Sequence, residues 1–142
     1  MEKNKTIMVI DDDLMMLKLI MKKIMSFGYR CEGYILPTIA LNKYRLNPNK
    51  YDLIITDYIM PELNGLLLIK EVYSINNLAS IMLYSTFISK ELEVKAFELG
   101  ACSFVPKPLD WHRLEVEINN ILNMELMDYS FKNQEENVQY FA

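Results

Sequence analysis

Polar side chains that could do chemistry stand at four places in this 142-residue sequence, each directly after a short apolar run. Three of the places carry carboxylates or hydroxyls, and the fourth carries a lysine. Carboxylates that crowd together repel one another unless a cation lies among them, and an all-oxygen set suits a hard ion such as Mg²⁺. If the fold brings these residues together, we expect them to form a metal site. In chain order the residues are Asp11, Asp12, Asp13, Asp57, Ser85, Thr86 and Lys107.

Such a set indicates phosphoryl chemistry. Mg²⁺ takes only one or two carboxylates and leaves positions that phosphate oxygens can occupy, while a lysine offers a second positive charge. Phosphoryl transfer depends mainly on positioning and charge neutralisation, and an aspartate carboxylate can itself be the nucleophile, which gives an acyl phosphate. The sequence therefore predicts Mg²⁺ as the cofactor.

The elements that must position these residues form an α/β pattern. Short apolar or β-branched runs alternate with longer segments of helical period, which predicts a parallel sheet covered by helices. Ligands of such sheets gather at the carboxyl ends of the strands, where the polar residues stand. The predicted strands are 6–10, 30–34, 53–56, 80–84 and 103–105, and the predicted helices are 14–25, 37–46, 66–74, 89–99 and 111–127.

Apolar spacing predicts which helix positions face the sheet. The ten methionines at helical spacing are expected to fill the core. The predicted stripe of the first helix is Leu14, Leu17, Met21, Ile24 and Met25, and that of the last helix is Trp111, Leu114, Ile118, Ile121 and Leu122.

Composition excludes several classes of protein. Apolar residues make up 51% and charged residues 24%, as in an ordinary globular domain. The longest apolar runs have about four residues, which excludes a membrane span, and the start of the chain lacks a signal-peptide core. The two cysteines, Cys31 and Cys102, are too few for a disulfide framework, so both are expected to be reduced and buried. A cytoplasmic location is predicted.

Charge is distributed unevenly along the chain. Residues 1–109 carry 13 Lys and Arg against 12 Asp and Glu, whereas residues 110–142 carry 2 against 7. Phosphate contacts need clustered basic residues, so direct nucleic-acid binding is not expected. The sequence predicts one domain over residues 1–127 and a polar tail or linker over 128–142, partly disordered. The polar, acidic continuation favours a stand-alone domain over one cut from a longer protein.

The ordered motifs over about residues 5–124 resemble the receiver domain of bacterial two-component response regulators. That resemblance implies a (βα)5 flavodoxin-like, doubly wound, five-stranded parallel sheet in the order 2-1-3-4-5. The motifs are Val9-Ile10-Asp11-Asp12, the segment 52–57, Met60-Pro61 with Gly65, the segment 81–85, Gly100-Ala101 and Lys107-Pro108.

The resemblance also implies a role for each site residue. Asp57 would be the phosphoacceptor. Asp12 would bind Mg²⁺ directly and Asp11 mostly through a metal-bound water. The remaining roles are a backbone carbonyl of Ile59 on the metal, contacts of Ser85 and Lys107 with phosphoryl oxygens, and a cis peptide bond between Lys107 and Pro108.

In this family a hydroxyl drawn toward the phosphoryl group lets an aromatic residue turn, and Ser85 and Phe104 match these switch positions. The change would remodel the face made by helix 89–99, strand 103–105 and helix 111–127. The implied partners are a histidine kinase or histidine phosphotransfer protein and a downstream protein or output domain, with a phosphorylation-dependent homodimer left open. The protein would be a switch and not a turnover enzyme.

Departures from the family pattern carry their own expectations. Phe104 lacks the hydroxyl of a tyrosine, so only its packing could report the switch. Ile59 and Thr86 are bulkier than usual on the path of water to an acyl phosphate, which predicts slow autodephosphorylation. Pro106 removes a backbone donor at the end of the fifth strand.

Other interpretations stay open at this point. Asp13 lies outside the motif pair and is expected to cap the first helix, and His112 is expected at the surface. Asp11-x-Asp13 resembles the nucleophile motif of haloacid-dehalogenase-type phosphatases, although Met15 stands where Thr or Val is wanted. A flavodoxin-like cofactor binder would need a phosphate-cradling loop that the sequence lacks. A receiver that acts by binding alone, without phosphorylation, is the remaining alternative.

Overall fold

The computed structural model of the chain describes residues 4–86 and 89–123. Within these ranges the helices and strands follow the predicted order, and most of their ends lie within one residue of the predicted ones. The predicted segment 124–127 of the last helix and the predicted tail 128–142 fall outside the described residues. The elements are β1 Thr6–Ile10, α1 Leu14–Ser26, β2 Arg30–Tyr34, α2 Pro37–Leu46, a 3-10 turn Pro48–Lys50, β3 Leu53–Asp57, α3 Gly65–Ile75, β4 Ile81–Ser85, α4 Lys90–Leu99, β5 Ser103–Pro106 and α5 Trp111–Leu122.

The five strands form one parallel sheet in the order β2-β1-β3-β4-β5, which confirms the flavodoxin-like topology. Helices cover both faces, so every residue of β3 and β4 is buried, as expected of central parallel strands. Asp57 pairs with Tyr84, and Ser85 pairs with Pro106. The register therefore brings the carboxyl ends of β3, β4 and β5 next to one another.

Side chains that alternate along the strands build a core on each face of the sheet. Ile7 and Val9 of β1 point to the core that α1 and α5 cover. Met8 and Ile10 point to the core that α2, α3 and α4 cover. Residues of α5 close the first of these cores, namely Leu114, Ile118 and Leu122, with Trp111 and Ile121 packed at its margin, as their spacing predicts.

Side-chain caps fix where α1, α3, α4 and α5 begin. The Asp13 carboxylate accepts hydrogen bonds from the backbone N–H groups of Met15 at 3.0 Å and Met16 at 3.3 Å, which confirms the predicted cap of α1. Asn64, Ser89 and Asp110 cap α3, α4 and α5 in the same way.

The predicted stripe of α1 is wrong at its two ends. Leu17, Ile20 and Ile24 are buried, whereas Leu14 is 51% and Met25 is 53% exposed. Leu14 lies in the first turn, beyond the end of β1, and Met25 is about 100° around the helix from the buried Ile24. Met15 is also exposed, so the methionines do not all fill the core.

The cysteines are free, as predicted, but less buried than predicted. Cys31 lies on the outer strand β2 and is half-buried. Cys102 lies in the turn before β5 and is exposed, although its thiol donates to the carbonyl of Ile81 at 3.3 Å. His112 is exposed, as expected.

Pro106 costs the sheet no hydrogen bond. The Lys107 N–H donates inward to the Ser85 carbonyl at 2.9 Å, so the backbone nitrogen of the preceding residue faces the open side of β5. Among the described residues, no helix has the length and apolar character needed to cross a membrane.

Candidate functional site

Residues from four strand ends meet at the carboxyl edge of the sheet. Asp11 follows β1, Asp57 ends β3, Ser85 ends β4 and Lys107 follows β5. One carboxylate oxygen from each of Asp11, Asp12 and Asp57 lies within 4.8 Å of the other two. The carboxylates that the sequence places at separate strand ends therefore form a single group.

Lys107 lies among these carboxylates. Its Nζ is 3.0 Å from Asp57 Oδ2 and 3.5 Å from Asp11 Oδ2, and only 12% of its side chain is exposed. The Lys107–Pro108 peptide bond is cis, as the family resemblance implied. Lys107 is thus a partly buried partner of two acids and not a solvated surface charge.

Burial dominates the electrostatics of Asp57. Its Oδ1 accepts from the Tyr58 N–H at 2.7 Å, and its Oδ2 accepts from Lys107. Burial raises the pKa of Asp57 above its ordinary value, the Lys107 ammonium lowers it only in part, and the charge of Asp11 raises it further. The ionised carboxylate is therefore short of positive charge, and an added cation would stabilise it.

Asp11 is fully buried and is hydrogen-bonded through both oxygens. Oδ1 accepts from the Asp13 N–H at 2.9 Å, and Oδ2 accepts from the Tyr84 hydroxyl and faces Lys107. With no exposure and its oxygens held in this way, Asp11 is a poor nucleophile, and the phosphatase alternative is not favoured.

Tyr84 is the site residue that sequence analysis missed. Its side chain is fully buried, its hydroxyl donates to Asp11, and the Lys107 Nζ lies 4.5 Å from the centroid of its ring. Burial raises the pKa of Tyr84 above its ordinary value, and Asp11 raises it further, so the hydroxyl keeps its proton. The sequence did carry a sign of this residue, because Tyr84 places a hydroxyl group directly before Ser85 and after three apolar strand residues.

The loop after Asp57 is held close to the site. The Gly65 N–H donates to the Tyr58 carbonyl at 2.8 Å, and a Cβ on Gly65 would lie 2.5 Å from the Asp57 carbonyl oxygen. Only glycine allows this approach of α3 to β3. Ile59 lies inside the loop, two residues after Asp57, with its side chain 64% exposed.

Ser85 and Phe104 occupy neighbouring strands. Ser85 is buried at the end of β4, and its carbonyl accepts from the Lys107 N–H. Phe104 pairs with Leu83 and is half-buried against the core on the side of α2, α3 and α4. Thr86 follows Ser85 and is exposed. The switch roles of Ser85 and Phe104 stay predictions.

The residues present fit a hard cation. The donor set consists of carboxylate oxygens, Asp11 and Asp57 are buried, and Asp12 is exposed, so the group is open to solvent on one side. Oxygen donors of this kind, few in number and with room for water, are those that Mg²⁺ prefers.

Comparison with known proteins agrees with this arrangement. The response regulator receiver domain family matches residues 7–119. The two-component response regulator ARR21 of Arabidopsis thaliana is 34% identical to this chain over 103 residues, which are 72% of this chain and 16% of that protein. The chemotaxis protein CheY of Thermotoga maritima is 29% identical over 119 residues, which are 82% of this chain and 97% of CheY.

Solved structures give the same result. A response regulator receiver domain protein from Clostridium thermocellum is 26% identical with a TM-score of 0.79, over 87% of this chain and 98% of that one. The chain spans only part of some relatives, such as 26% of the transcriptional regulatory protein ZraR of Salmonella typhimurium. The family match, the strand order and the acidic group with its lysine together show that the chain belongs to the response regulator receiver domain family.

Proposed function

We propose that the chain is a phosphorylation-activated receiver in which Asp57 accepts a phosphoryl group from a histidine kinase or histidine phosphotransfer protein. The observation that carries the proposal is the position of Asp57 beside Lys107 and within the group of three carboxylates. Receiver domains are phosphoacceptor switches and not turnover enzymes.

The proposed step is a displacement at phosphorus. An Asp57 carboxylate oxygen forms a bond to phosphorus, the bond from phosphorus to the donor nitrogen breaks, and an acyl phosphate results. Lys107, already 3.0 Å from Asp57 Oδ2, would pair with a phosphoryl oxygen, and Ser85 would donate to another. Asp12, Asp57, the Ile59 carbonyl and, through water, Asp11 would hold Mg²⁺. When bound, the ion supplies neutralisation of the negative charge on the transferred group.

The signal would leave the site through Ser85 and Phe104. Ser85 is buried at the end of β4, and Phe104 is half-buried two residues before the partner of Ser85 on the adjacent strand, so a shift of Ser85 toward the phosphoryl group would leave space for Phe104 to turn. The surface of α4, β5 and α5 would then bind a downstream protein or an output domain, or pair with a second copy. Direct nucleic-acid contact by this chain is not expected.

Two residues beside the site would slow autodephosphorylation. Ile59 and Thr86 are exposed near the phosphoacceptor, where water must pass to reach an acyl phosphate. I59N and T86A should each shorten the phosphoryl lifetime, measured as loss of the adduct mass over time. An unchanged lifetime in both variants would refute this role.

Intact mass after incubation with acetyl phosphate and Mg²⁺ tests the proposal. Wild type should gain one phosphoryl group only when Mg²⁺ is present, and D57N should gain none. D52N is a matched control, because Asp52 precedes the same strand at its opposite end; it should be phosphorylated like wild type.

The same measurement separates the alternatives. An adduct that persists in D57N and disappears in D11N would move the nucleophile to Asp11. If wild type takes up neither a phosphoryl group nor beryllofluoride, the chain acts by binding alone.

A further inference from the structure

Tyr84 contacts both the buried acid and the lysine of the site, although none of the roles given above requires a tyrosine there. Its hydroxyl donates to Asp11 Oδ2, and its ring lies against the Lys107 ammonium. Because the side chain is fully buried, Tyr84 meets Asp11 and Lys107 instead of solvent.

Asp11 already has two hydrogen-bond donors and one ammonium group beside its carboxylate before any ion binds. A carboxylate offers roughly four acceptor positions. The Asp13 N–H takes one on Oδ1, and the Tyr84 hydroxyl and Lys107 approach Oδ2. The buried charge of Asp11 is therefore compensated in the metal-free protein, and the acidic group can stay assembled without a cation.

We propose that Tyr84 is a positioning residue whose hydroxyl compensates Asp11 in the metal-free site and thereby lowers the affinity of the site for Mg²⁺. The inference rests on the proposed function, since it assumes that this acidic group is the one that binds the ion. The hydroxyl and the ion draw on the same negative charge, so each weakens the binding of the other. Because such coupling is reciprocal, loss of the hydroxyl favours the ion.

The direction of the effect depends on what else holds Asp11. Where a donor is needed to orient a metal-binding side chain, its loss weakens metal binding by about 10–100-fold. In this chain the Asp13 N–H holds Asp11 Oδ1, and Asp13 is itself fixed as the cap of α1. The Asp11 side chain therefore keeps its orientation without the Tyr84 hydroxyl. The loss of charge compensation then decides the direction in which the Mg²⁺ affinity changes.

Calorimetric titration with Mg²⁺ alone, at one pH and ionic strength, tests the proposal in wild type, Y84F and Y44F. Tyr44 is the matched control: it is buried on the other face of the sheet, and its hydroxyl accepts from Asn76 at 3.2 Å. Y84F should bind Mg²⁺ about threefold more tightly than wild type or better, and Y44F should match wild type. Both variants should lose some thermal stability, so a purely structural role would change Tm in Y84F without a change in Kd.

Several outcomes would overturn the inference. An unchanged or weaker Mg²⁺ affinity in Y84F, with normal binding by wild type, refutes the role of Tyr84 and leaves the proposed function intact. No Mg²⁺ binding and no phosphoryl adduct in wild type refutes both.

A measurement on the unmodified protein covers the case in which Y84F does not fold. Reciprocity requires Mg²⁺ to weaken the Tyr84–Asp11 hydrogen bond, so the NMR signal of the buried Tyr84 hydroxyl proton should move upfield as Mg²⁺ is added. A signal that stays in place as the site fills would refute the proposal.

Discussion

Two clusters of side chains in this protein are built from the same chemical groups. The site cluster consists of Asp11, Asp57, Lys107 and Tyr84, and an edge cluster consists of Glu32, Tyr34, Lys50 and Tyr51. In the edge cluster, Glu32 Oε1 accepts from Tyr34 at 2.9 Å and from Tyr51 at 3.1 Å, and Oε2 lies 2.5 Å from Lys50 Nζ. Each cluster thus combines carboxylate, ammonium and tyrosine hydroxyl groups.

The two clusters shift the pKa of their carboxyl groups in opposite directions. Burial acts to raise the pKa of Glu32, but hydrogen bonds from Lys50, Tyr34 and Tyr51 outweigh it, and the pKa falls below its ordinary value. In the site cluster, burial and the second carboxylate outweigh Lys107, and the pKa of Asp57 rises. Similar side-chain groups therefore produce opposite pKa shifts. The difference is that positive charge is insufficient around the buried Asp57 carboxylate and sufficient around Glu32.

Removal of each lysine should show the largest difference. K107A leaves two buried carboxylates without their ammonium and should lower the free energy of unfolding by about 3 kcal/mol in Mg²⁺-free buffer. K50A removes a lysine that is 45% exposed and should cost about 0.5 kcal/mol. Urea denaturation measures both, and Mg²⁺ should restore part of the loss in K107A only. Equal costs for the two variants would contradict the comparison.

A glycine beside each cluster gives the next largest contrast. G65A would place a Cβ 2.5 Å from the Asp57 carbonyl oxygen, so backbone must move, and we expect a loss of about 2 kcal/mol together with slower phosphorylation of Asp57. G33A, between Glu32 and Tyr34, would meet mainly the thioether of Met21, which can turn away. Its cost should be about 1 kcal/mol, with normal phosphorylation. Thermal melts and the acetyl phosphate assay measure the pair, and the reverse order of costs would contradict the argument.

Neutralisation of one carboxylate in each cluster should change stability with opposite sign. D57N removes a buried charge that its surroundings do not fully compensate, and should therefore raise the free energy of unfolding without Mg²⁺. E32Q removes a compensated charge, 31% exposed, and should lower it by about 0.5 kcal/mol. Chemical denaturation at pH 7 measures both. A loss of stability in D57N would show that Lys107 compensates Asp57 after all.

The smallest expected effect is a pH dependence of the edge cluster. Because the folded protein lowers the pKa of Glu32, its charge stabilises the fold above the ordinary value of 4.5, and this contribution disappears as pH falls through the folded value. The stability difference between wild type and E32Q should therefore be about 0.5 kcal/mol at pH 7 and shrink toward zero in acid. A difference that grows below pH 4.5 would contradict the sign of the shift.

The sequence predicts those site residues that lie at the ends of strands. Asp11, Asp57, Ser85 and Lys107 each follow or end an apolar run, and a parallel sheet must bring such positions to one edge. Tyr84 could not be found in this way, because a tyrosine in a buried strand is typical of core packing. Its role depends on the distance between its hydroxyl and Asp11, which only the fold sets.

The other differences have similar causes. The helical period identifies Leu17 and Ile24 as buried, but it sets neither where the sheet ends, which decides Leu14, nor how wide the covered face of the helix is, which decides Met25. The edge cluster joins β2 to residues at the 3-10 turn and just after it, and no local pattern predicts that contact.

The position of Pro106 affects how the sheet ends. At the outer side of β5, where a further strand could add, this residue offers no N–H, and the strand is only four residues long. At the opposite border, β2 carries Arg30 and Glu32, charged side chains of the kind that discourage strand addition. Both borders of the described sheet thus oppose the addition of a strand from another molecule, so partners should contact side chains of this protein and not pair with the backbone along a sheet edge.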